Sequence, residues 1–321
     1  MKRLIGIASA LALCMSQPAG AETYPSRHIT VVVPYAPGGL GDLSIRRIEQ
    51  GVTRELKQPI VVDYKPGGGG AVGANFAKTL PADGYSLFIA NATIMAINPT
   101  LMGKVTYDPV KDFAPVTMLV STSHVLVVPA SSPVKSFADL LDLIKQGKHL
   151  TFASSGVGGG GHLLGEMLKQ KTGGALTHVP YKGAAPAMQD VLGGRIDFYF
   201  ESVALAAPHV ASGGIRALAV TSRQRLKAYP DMPTMTELGY PDLQADSWFG
   251  LFAPKNVPPQ IAETLNAAFG KALKEPAAVK AFDDLGLDVL PGSPRELADT
   301  LRTDLARYRE LITQVGMKAE Q

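Results

Sequence analysis

Residues 31–42 read VVVPYAPGGLGD, and the rest of the chain is organised around them. The β-branched start predicts a buried strand, and the proline- and glycine-containing run predicts a loop. Asp42 stands where a helix N-cap is expected, and apolar residues from Ile45 to Leu56 then recur at helical spacing. Such a unit directs backbone N–H groups and the positive end of a helix dipole at one point. It therefore predicts an anion-binding loop, which we expect to hold a carboxylate.

A second loop of the same kind occurs at residues 154–161, which read SSGVGGGG. A predicted strand (150–153) precedes it, and a helix with leucines and methionines at its buried positions follows. Between the two units, the β-rich runs 113–120 and 124–128 interrupt the alternation of strands and helices. This interruption marks a passage into a second domain.

The order of the predicted elements gives two α/β lobes joined by two crossings. Residues 22–122 and 246–321 form lobe 1, and residues 123–245 form lobe 2, whose last part (222–245) is the return linker. Each lobe presents one glycine loop to the other, which is the construction of a hinged binding protein. Ligands bind at the carboxyl ends of strands in open α/β sheets, so we expect the site in the interdomain cleft.

Composition sets the class of protein and of partner. The chain has 321 residues, of which 46% are hydrophobic and 18% charged, with 33 glycines and 24 prolines. This mixture suits α/β units joined by tight turns and does not suit disorder. The formal net charge is +3, or +1 without Lys2 and Arg3, and no lysine- or arginine-rich run occurs. Nucleic acid is therefore not an expected partner.

The first 21 residues have the pattern of a secretory signal peptide. Lys2 and Arg3 form the basic region, residues 4–15 the apolar region, and residues 19–21 a small-residue cleavage site before Glu22. We expect export to the periplasm and cleavage near Ala21. Cys14 is the chain's one cysteine. A lipid anchor at Cys14 is an alternative, but it is disfavoured because Leu13 is a poor residue just before a lipidated cysteine. The mature chain is then expected to have neither disulfide nor thiolate chemistry, and no later run is long enough to span a membrane.

Polar and glycine residues cluster at the predicted strand ends and give the candidate site. We expect Asp42 to fix loop geometry, His162 to be a structural hydrogen-bonding group, and Glu201 either to accept from a ligand or to cap the following helix. Lys182 is the candidate cation for a carboxylate. The candidate ligand-binding residues are Tyr35, Ala36, Pro37, Gly38, Gly39, Asp42, Asn91, Thr93, Ser154, Ser155, Gly156, Gly158, His162, Tyr181, Lys182, Gly183, Glu201 and Ser202.

Motifs along the mature chain resemble the Bug family, the periplasmic solute-binding proteins of tripartite tricarboxylate transporters. Besides residues 31–42, they are the segments PADGY (81–85), AINP (96–99), HL and GE (162–166), VPYKG (179–183), PA (186–187), LGG with Asp197, and WFGLFAP (248–254). The resemblance implies a type II, Venus-flytrap fold, no catalysis, and small carboxylate ligands. The family usually carries a hydroxyl residue where this chain has Gly41 and near Gly159, so contacts here would fall on backbone N–H groups or bridging water.

Three other chemistries are disfavoured by the residues. A dinucleotide site would need a third glycine where Ser44 stands, although Asp63 is placed as a ribose-binding acid would be. A hydrolase elbow would need a glycine in place of Phe152. The six histidines show no metal-binding spacing, so neither metal nor cofactor is expected.

The sequence thus predicts a monomeric periplasmic protein that captures a small carboxylate, with a di- or aromatic carboxylate favoured, for a membrane transporter. A ligand sensor for a receptor kinase stays open as an alternative. An exported α/β enzyme is the remaining one, and no set of acid, base and nucleophile supports it.

Overall fold

The structure is a computed structural model that describes residues 24–102, 105–226, 229–244, 246–314 and 316. The predicted signal peptide, with Cys14 and the cleavage site, lies outside these residues. Within the described ranges no helix is both long enough and apolar enough to cross a bilayer.

Strands and helices alternate in two groups along the chain. The first group is β1 (Ile29–Val33), α1 (Leu40–Leu56), β2 (Ile60–Tyr64), a 3₁₀ turn (Gly68–Gly70), α2 (Ala71–Ala77), β3 (Ser86–Asn91), a π-helical segment (Thr93–Ile97) and α3 (Asn98–Leu101). The second group is β4 (Phe113–Pro129), α4 (Phe137–Lys145), β5 (Leu150–Ser154), α5 (Gly160–Thr172), β6 (Leu176–Pro180), α6 (Ala184–Leu192), β7 (Phe198–Ser202), α7 (Val203–Ala211) and β8 (Ile215–Val220). The chain returns through β9 (Asp246–Pro254), α8 (Pro259–Leu273), α9 (Pro276–Asp283), β10 (Asp288–Val289) and α10 (Pro294–Gln314).

The described strands connect in the order β2-β1-β3-β9-β4-β7-β5-β6, and β8 and β10 also pair with β4. β1 is parallel to β2 and β3, and β5 is parallel to β6 and β7. β9 is antiparallel to both β3 and β4. Each group therefore has its own parallel strands, and the glycine loops follow the carboxyl ends of β1 and β5.

Both β-rich runs, 113–120 and 124–128, form strand as predicted, and residues 121–123 join them into the one continuous strand β4. Its first part, to Ser123, pairs with β9, and its second part, from His124, pairs with β7 and β8. The polar residues between the two runs stay in the strand because their backbone groups continue the ladder with β9, as Ser121 does opposite Trp248. A 17-residue strand spans about 55 Å and carries the chain from one group of elements to the other.

Buried side chains of the described residues form three clusters. One surrounds β1, α1 and α8, and another lies where β7 meets α6 and α7. The third joins the two groups of elements, because it contains residues of the π-helical segment, of α5 and of α10. Trp248 belongs to it and donates from Nε1 to Asp304 Oδ2 at 2.7 Å.

The sequence patterns SFAD (136–139) and SPRE (293–296) predict helix N-caps at Ser136 and Ser293, and both are confirmed. The Ser136 hydroxyl accepts a hydrogen bond from the Asp139 N–H, and the Asp139 carboxylate accepts one from the Ser136 N–H. Together the two bonds form a complete capping box. Ser293 and Glu296 form the same reciprocal pair at α10. By contrast, α3, α9 and β10 are too short to leave a periodic apolar pattern, and the sequence patterns did not indicate them.

Candidate functional site

Residues 34–39, here called loop 1, carry the chain from β1 into α1. Gly38 has φ +86°, a conformation that a side chain disfavours, and Gly39 is the N-cap residue with extended backbone. The Gly38 N–H donates to Asp42 Oδ2 at 2.9 Å. The prediction of Asp42 as N-cap is wrong by three positions, because the loop closes one turn earlier and places Asp42 third in the helix. From there its carboxylate reaches back to fix the loop.

Asp42 is buried and has two further partners. Its Oδ1 accepts from the Tyr64 hydroxyl at 2.7 Å, and Arg46 Nε lies 3.4 Å away. Tyr64 ends β2, so the second strand also holds loop 1. The three contacts offset the negative charge that the carboxylate brings to the helix N-terminus.

Residues 155–159, here called loop 2, carry the chain from β5 into α5, and their last two residues have the same backbone conformation as the last two of loop 1. Gly158 has φ +80°, Gly159 is the extended N-cap residue, and the Gly158 N–H donates to His162 Nδ1 at 3.1 Å. His162 is third in its helix, as Asp42 is in α1. This hydrogen bond gives His162 the structural role that the sequence predicted.

Loop 2 rests on a second histidine. His178, on β6, stacks on His162 with ring centroids 3.7 Å apart, and its Nε2 lies 2.6 Å from Ser154 Oγ. Burial lowers the pKa of His162 to about 3, with smaller contributions from His178 and Lys169. Burial also lowers the pKa of His178 to about 4. Both imidazoles are therefore neutral at pH 7.

The first turns of α1 and α5 leave backbone donors free. The N–H groups of residues 40–42 and of residues 160–162 make no hydrogen bond to the described part of the chain. Free amides at a helix N-terminus attract anions, and at α5 the neutral imidazole adds no opposing charge. Two such groups of donors, one in each predicted lobe, match the expected carboxylate site.

At the end of β3, Asn91 offers a side-chain donor. Its Oδ1 accepts from the Tyr35 hydroxyl at 3.3 Å and from the Ile94 N–H at 3.1 Å, which fixes the carboxamide. Its Nδ2 has no partner among the described residues and remains free to donate. Burial raises the pKa of Tyr35 to about 12, so this hydroxyl stays protonated.

Candidate side chains at the ends of β6 and β7 make more hydrogen bonds within the protein than the sequence suggests. The Tyr181 hydroxyl donates to Asp190 on α6 at 2.8 Å, whereas Lys182 is exposed. Glu201 is buried, its Oε1 accepts from the Ser202 N–H at 2.6 Å, and its Oε2 accepts from Tyr199. The Ser202 N–H belongs to the N-cap residue and not to the first turn of α7, so Glu201 does not cap that helix, and its contact with a ligand stays a prediction. Burial raises the pKa of its carboxyl. Ser202 Oγ is buried without a partner.

Contacts place both loops on the same side of the molecule. The Cα of Gly73 and of Gly70 lie against Pro34 of loop 1, and Asn98 Nδ2 donates to the neighbouring Gly69 carbonyl at 3.0 Å. Asn98 also lies next to Gly158 of loop 2. The chain of contacts runs from one loop to the other through the turn Gly68–Gly70.

Several residues of this region escaped the sequence patterns. Tyr64, His178 and Asn98 contact the loops from other elements, and their spacing along the chain carries no signal for it. Asn98 alone had an indication, as part of the segment AINP.

A cavity of about 540 Å³ lies elsewhere, between the start of α4 and residues 229–233. None of the candidate ligand-binding residues lines it. Among the described residues no group of three or more histidine, cysteine and acidic side chains could hold a metal ion.

Comparison with known proteins gives consistent matches over nearly the whole chain. A family model described as the tripartite tricarboxylate transporter family receptor matches residues 44–317. A UPF0065 protein from the tcbD–tcbE intergenic region of a Pseudomonas species is 36% identical, over 99% of this chain and 95% of that protein. Protein BugT of Bordetella pertussis is 34% identical, over 95% of this chain and 94% of that protein.

Three solved structures share the fold. An R. palustris protein with adipate has a TM-score of 0.87 and 32% identity, over 92% of this chain and 99% of that one. The periplasmic binding protein BugD has a TM-score of 0.85 and 30% identity, over 92% of this chain and all of that one (100%). MatC of Rhodopseudomonas palustris, with bound malate, has a TM-score of 0.83 and 29% identity, over 90% of this chain and 100% of that one.

Proposed function

This chain belongs to the tripartite tricarboxylate transporter receptor family, whose members are periplasmic binding proteins, and on that premise we propose that it captures a small carboxylate for a tripartite membrane transporter. The resemblance drawn from the motifs is confirmed, as is the two-lobed periplasmic-binding-protein fold. A dicarboxylate or an aromatic carboxylate is the proposed ligand. The mature protein is proposed to begin near Glu22, to act as a monomer in the periplasm, and to catalyse no reaction.

The observation that carries this proposal is the pair of matched helix starts. Each has a glycine with positive φ, an extended glycine N-cap and free first-turn N–H groups. Two carboxylates of one ligand, one at each loop, would use both groups of donors, and closure would remove water and strengthen those hydrogen bonds. Adipate and malate, bound by two of the structural relatives, are dicarboxylates and support this ligand class.

The proposed ligand-contacting set remains the one derived from the sequence, with different weights. Asn91 and the first-turn N–H groups of residues 40–42 and 160–162 offer free donors, whereas the side chains of Asp42, His162, Tyr181 and Glu201 are engaged by neighbouring groups. We therefore assign direct contact to the free donors. We assign loop positioning to the Asp42 and His162 side chains, and structural roles at the ends of β6 and β7 to Tyr181 and Glu201.

Thermal unfolding with a panel of mono-, di-, tri- and aromatic carboxylates tests the ligand class. A ligand at 100 times its dissociation constant should stabilise the protein by roughly 2.7 kcal/mol. Neutral sugars serve as controls, and a response to sugars alone contradicts the proposal. Pull-down experiments with transporter subunits and, separately, with a receptor kinase domain distinguish delivery of the ligand to a transporter from a role as a ligand sensor.

Gly39→Val tests the first loop. A Cβ at Gly39 would lie 3.6 Å from the Ala36 carbonyl oxygen, an ordinary contact, so the fold should persist. The added side chain blocks the close approach of a ligand to the backbone, and binding should be lost. Unchanged affinity in isothermal titration would remove loop 1 from the site.

A further inference from the structure

Loop 2 closely approaches the segment that follows β3 at Gly158. A Cβ built on Gly158 would lie 2.7 Å from Leu101 Cδ2, 3.4 Å from Asn98 Oδ1 and 3.8 Å from Ile97 Cγ2. The first of these distances is shorter than real Cβ contacts, so a side chain at position 158 would have to displace the buried end of Leu101, and glycine allows the close approach without that displacement. Gly158 belongs to the predicted lobe 2, and its three neighbours belong to lobe 1.

Asn98 is held at this contact with one polar atom unsatisfied. Its side chain is fully buried, and Nδ2 donates to the Gly69 carbonyl at 3.0 Å. Its Oδ1 is buried and has no hydrogen-bond partner among the described residues. The Tyr107 hydroxyl also interacts with the Asn98 side chain, but it donates its proton to the Ile94 carbonyl and so does not supply a donor to Oδ1.

A buried acceptor without a donor costs free energy, and water satisfies it as soon as the group is exposed. Withdrawal of loop 2 from α3 would uncover Asn98 Oδ1, because Gly158 is the group of loop 2 that lies beside it. The approach of the two segments thus carries a fixed penalty, which favours their separation when no ligand holds them together.

We propose that the contact of Gly158 with Leu101 and Asn98 is the closing stop of the cleft, and that Asn98 is a positioning residue that biases the empty protein toward the open state. The proposal rests on the proposed function, since it assigns the cleft between these segments to ligand capture. Gly158 sets how far the lobes close, and the unpartnered Oδ1 of Asn98 sets how readily they close without ligand.

Distance measurements between the lobes test both parts. Gln50 on α1 and Gln146 after α4 are exposed, and replacing both with cysteine allows a fluorescence pair to be attached, since Cys14 precedes the mature chain. In this background Gly158→Ala should stop adipate- or malate-bound protein short of the wild-type closed distance and weaken binding at least tenfold. Adding Leu101→Ala removes the clashing methyl group and should restore most of the closure. Asn98→Ala should shift the ligand-free protein toward the closed distance.

Gly147→Ala is the matched control. Gly147 has φ +74°, close to the +80° of Gly158, but nothing lies within 4 Å of its Cβ position. Gly147→Ala introduces the same backbone strain as Gly158→Ala and should leave the closed distance unchanged. Melting curves check that each variant is folded. Full closure of Gly158→Ala, or a ligand-free distance in Asn98→Ala equal to that of wild type, overturns the proposal. If neither adipate nor malate changes the wild-type distance, the assigned ligand class fails, while the ligand-free comparison of Asn98→Ala still decides the closing contact.

Discussion

Loop 1 and loop 2 end in the same backbone conformation and are fixed by different side-chain chemistry. Both start a helix with a positive-φ glycine followed by an extended glycine N-cap, and in both the third helical residue accepts from the first glycine's N–H. That residue is a carboxylate in α1 and a neutral imidazole in α5. The requirement at this position is therefore one acceptor atom within reach of the amide, and the residue type is free to vary.

The difference changes the electrostatics of the two helix starts. Asp42 brings a negative charge to α1, which Arg46 and the Tyr64 hydroxyl offset, whereas His162 brings none to α5 because burial holds its pKa near 3. The donors of α5 thus keep the full attraction of the helix dipole for an anion. Loop 1 is fixed by charge-assisted bonds and loop 2 by stacked neutral rings.

The largest difference in stability between matched variants is expected at the second residue of α1, Gly41, and the second residue of α5, Gly161. A Cβ on Gly161 would lie 2.3 Å from the Phe200 carbonyl oxygen, whereas one on Gly41 would meet Phe249 at an ordinary 3.5 Å. Gly161→Ala should therefore lower the free energy of unfolding by about 3 kcal/mol through overpacking against backbone. Gly41→Ala should be neutral or stabilise by up to about 1 kcal/mol. Urea denaturation without ligand measures both, and equal losses would contradict the geometry.

Removing the third-position acceptors should show how differently the loops are fixed. Asp42→Leu breaks contacts with Gly38, Tyr64 and Arg46, and should cost about 2–3 kcal/mol because hydrogen bonds to a charged group are strong. His162→Leu leaves the Gly158 N–H without its acceptor and removes the stacking on His178, and should cost about 1–2 kcal/mol because no charged group is involved. Chemical denaturation of the two variants provides the ranking, and the reverse order would refute it.

Acid should act on loop 2 through its histidines. An unfolded chain protonates His162 and His178 near their ordinary pKa of 6.5, whereas the folded protein does so only near 3 and 4. Between these values the unfolded state holds more protons, so stability falls as the pH decreases from about 6.5 toward 4. The slope should be at most about 1.4 kcal/mol per pH unit for each histidine.

Replacing His162 with asparagine isolates the contribution of His162, because a carboxamide side chain does not titrate between pH 4 and 7. The slope of unfolding free energy against pH between 4.5 and 6.5 should become shallower in His162→Asn. Parallel slopes for wild type and variant would show that the stacked rings do not titrate as their burial implies.

The smallest effect is expected at the support of loop 1. Tyr64→Phe removes one hydrogen bond to Asp42 and should cost about 1 kcal/mol. In the Asp42→Leu background the same change should cost much less, because the two side chains are in contact. Independent, additive losses in this double-mutant cycle would mean that the hydroxyl does not hold loop 1.

Local features of the fold followed from the sequence. The strand–loop–helix units at 31–56 and 150–172 and the capping residues Ser136 and Ser293 were predicted and are present. Each depends on backbone sterics or on hydrogen bonds within a few residues, so the chain itself carries the information. Asp42 was misplaced because N-cap and third-position acidic residues differ only in how early the loop turns.

Contacts between distant segments were decided by packing alone. Tyr64 on Asp42, His178 on His162 and Asn98 beside Gly158 join residues that lie 22, 16 and 60 positions apart in the sequence. The continuity of β4 likewise depends on β9, whose residues come more than a hundred positions later. The sequence by itself determined two anion-attracting helix starts, because glycine conformations and helix dipoles are local properties. Only the tertiary structure decided what supports them and where they touch, because side-chain partners are chosen by the three-dimensional proximity that burial of the core imposes.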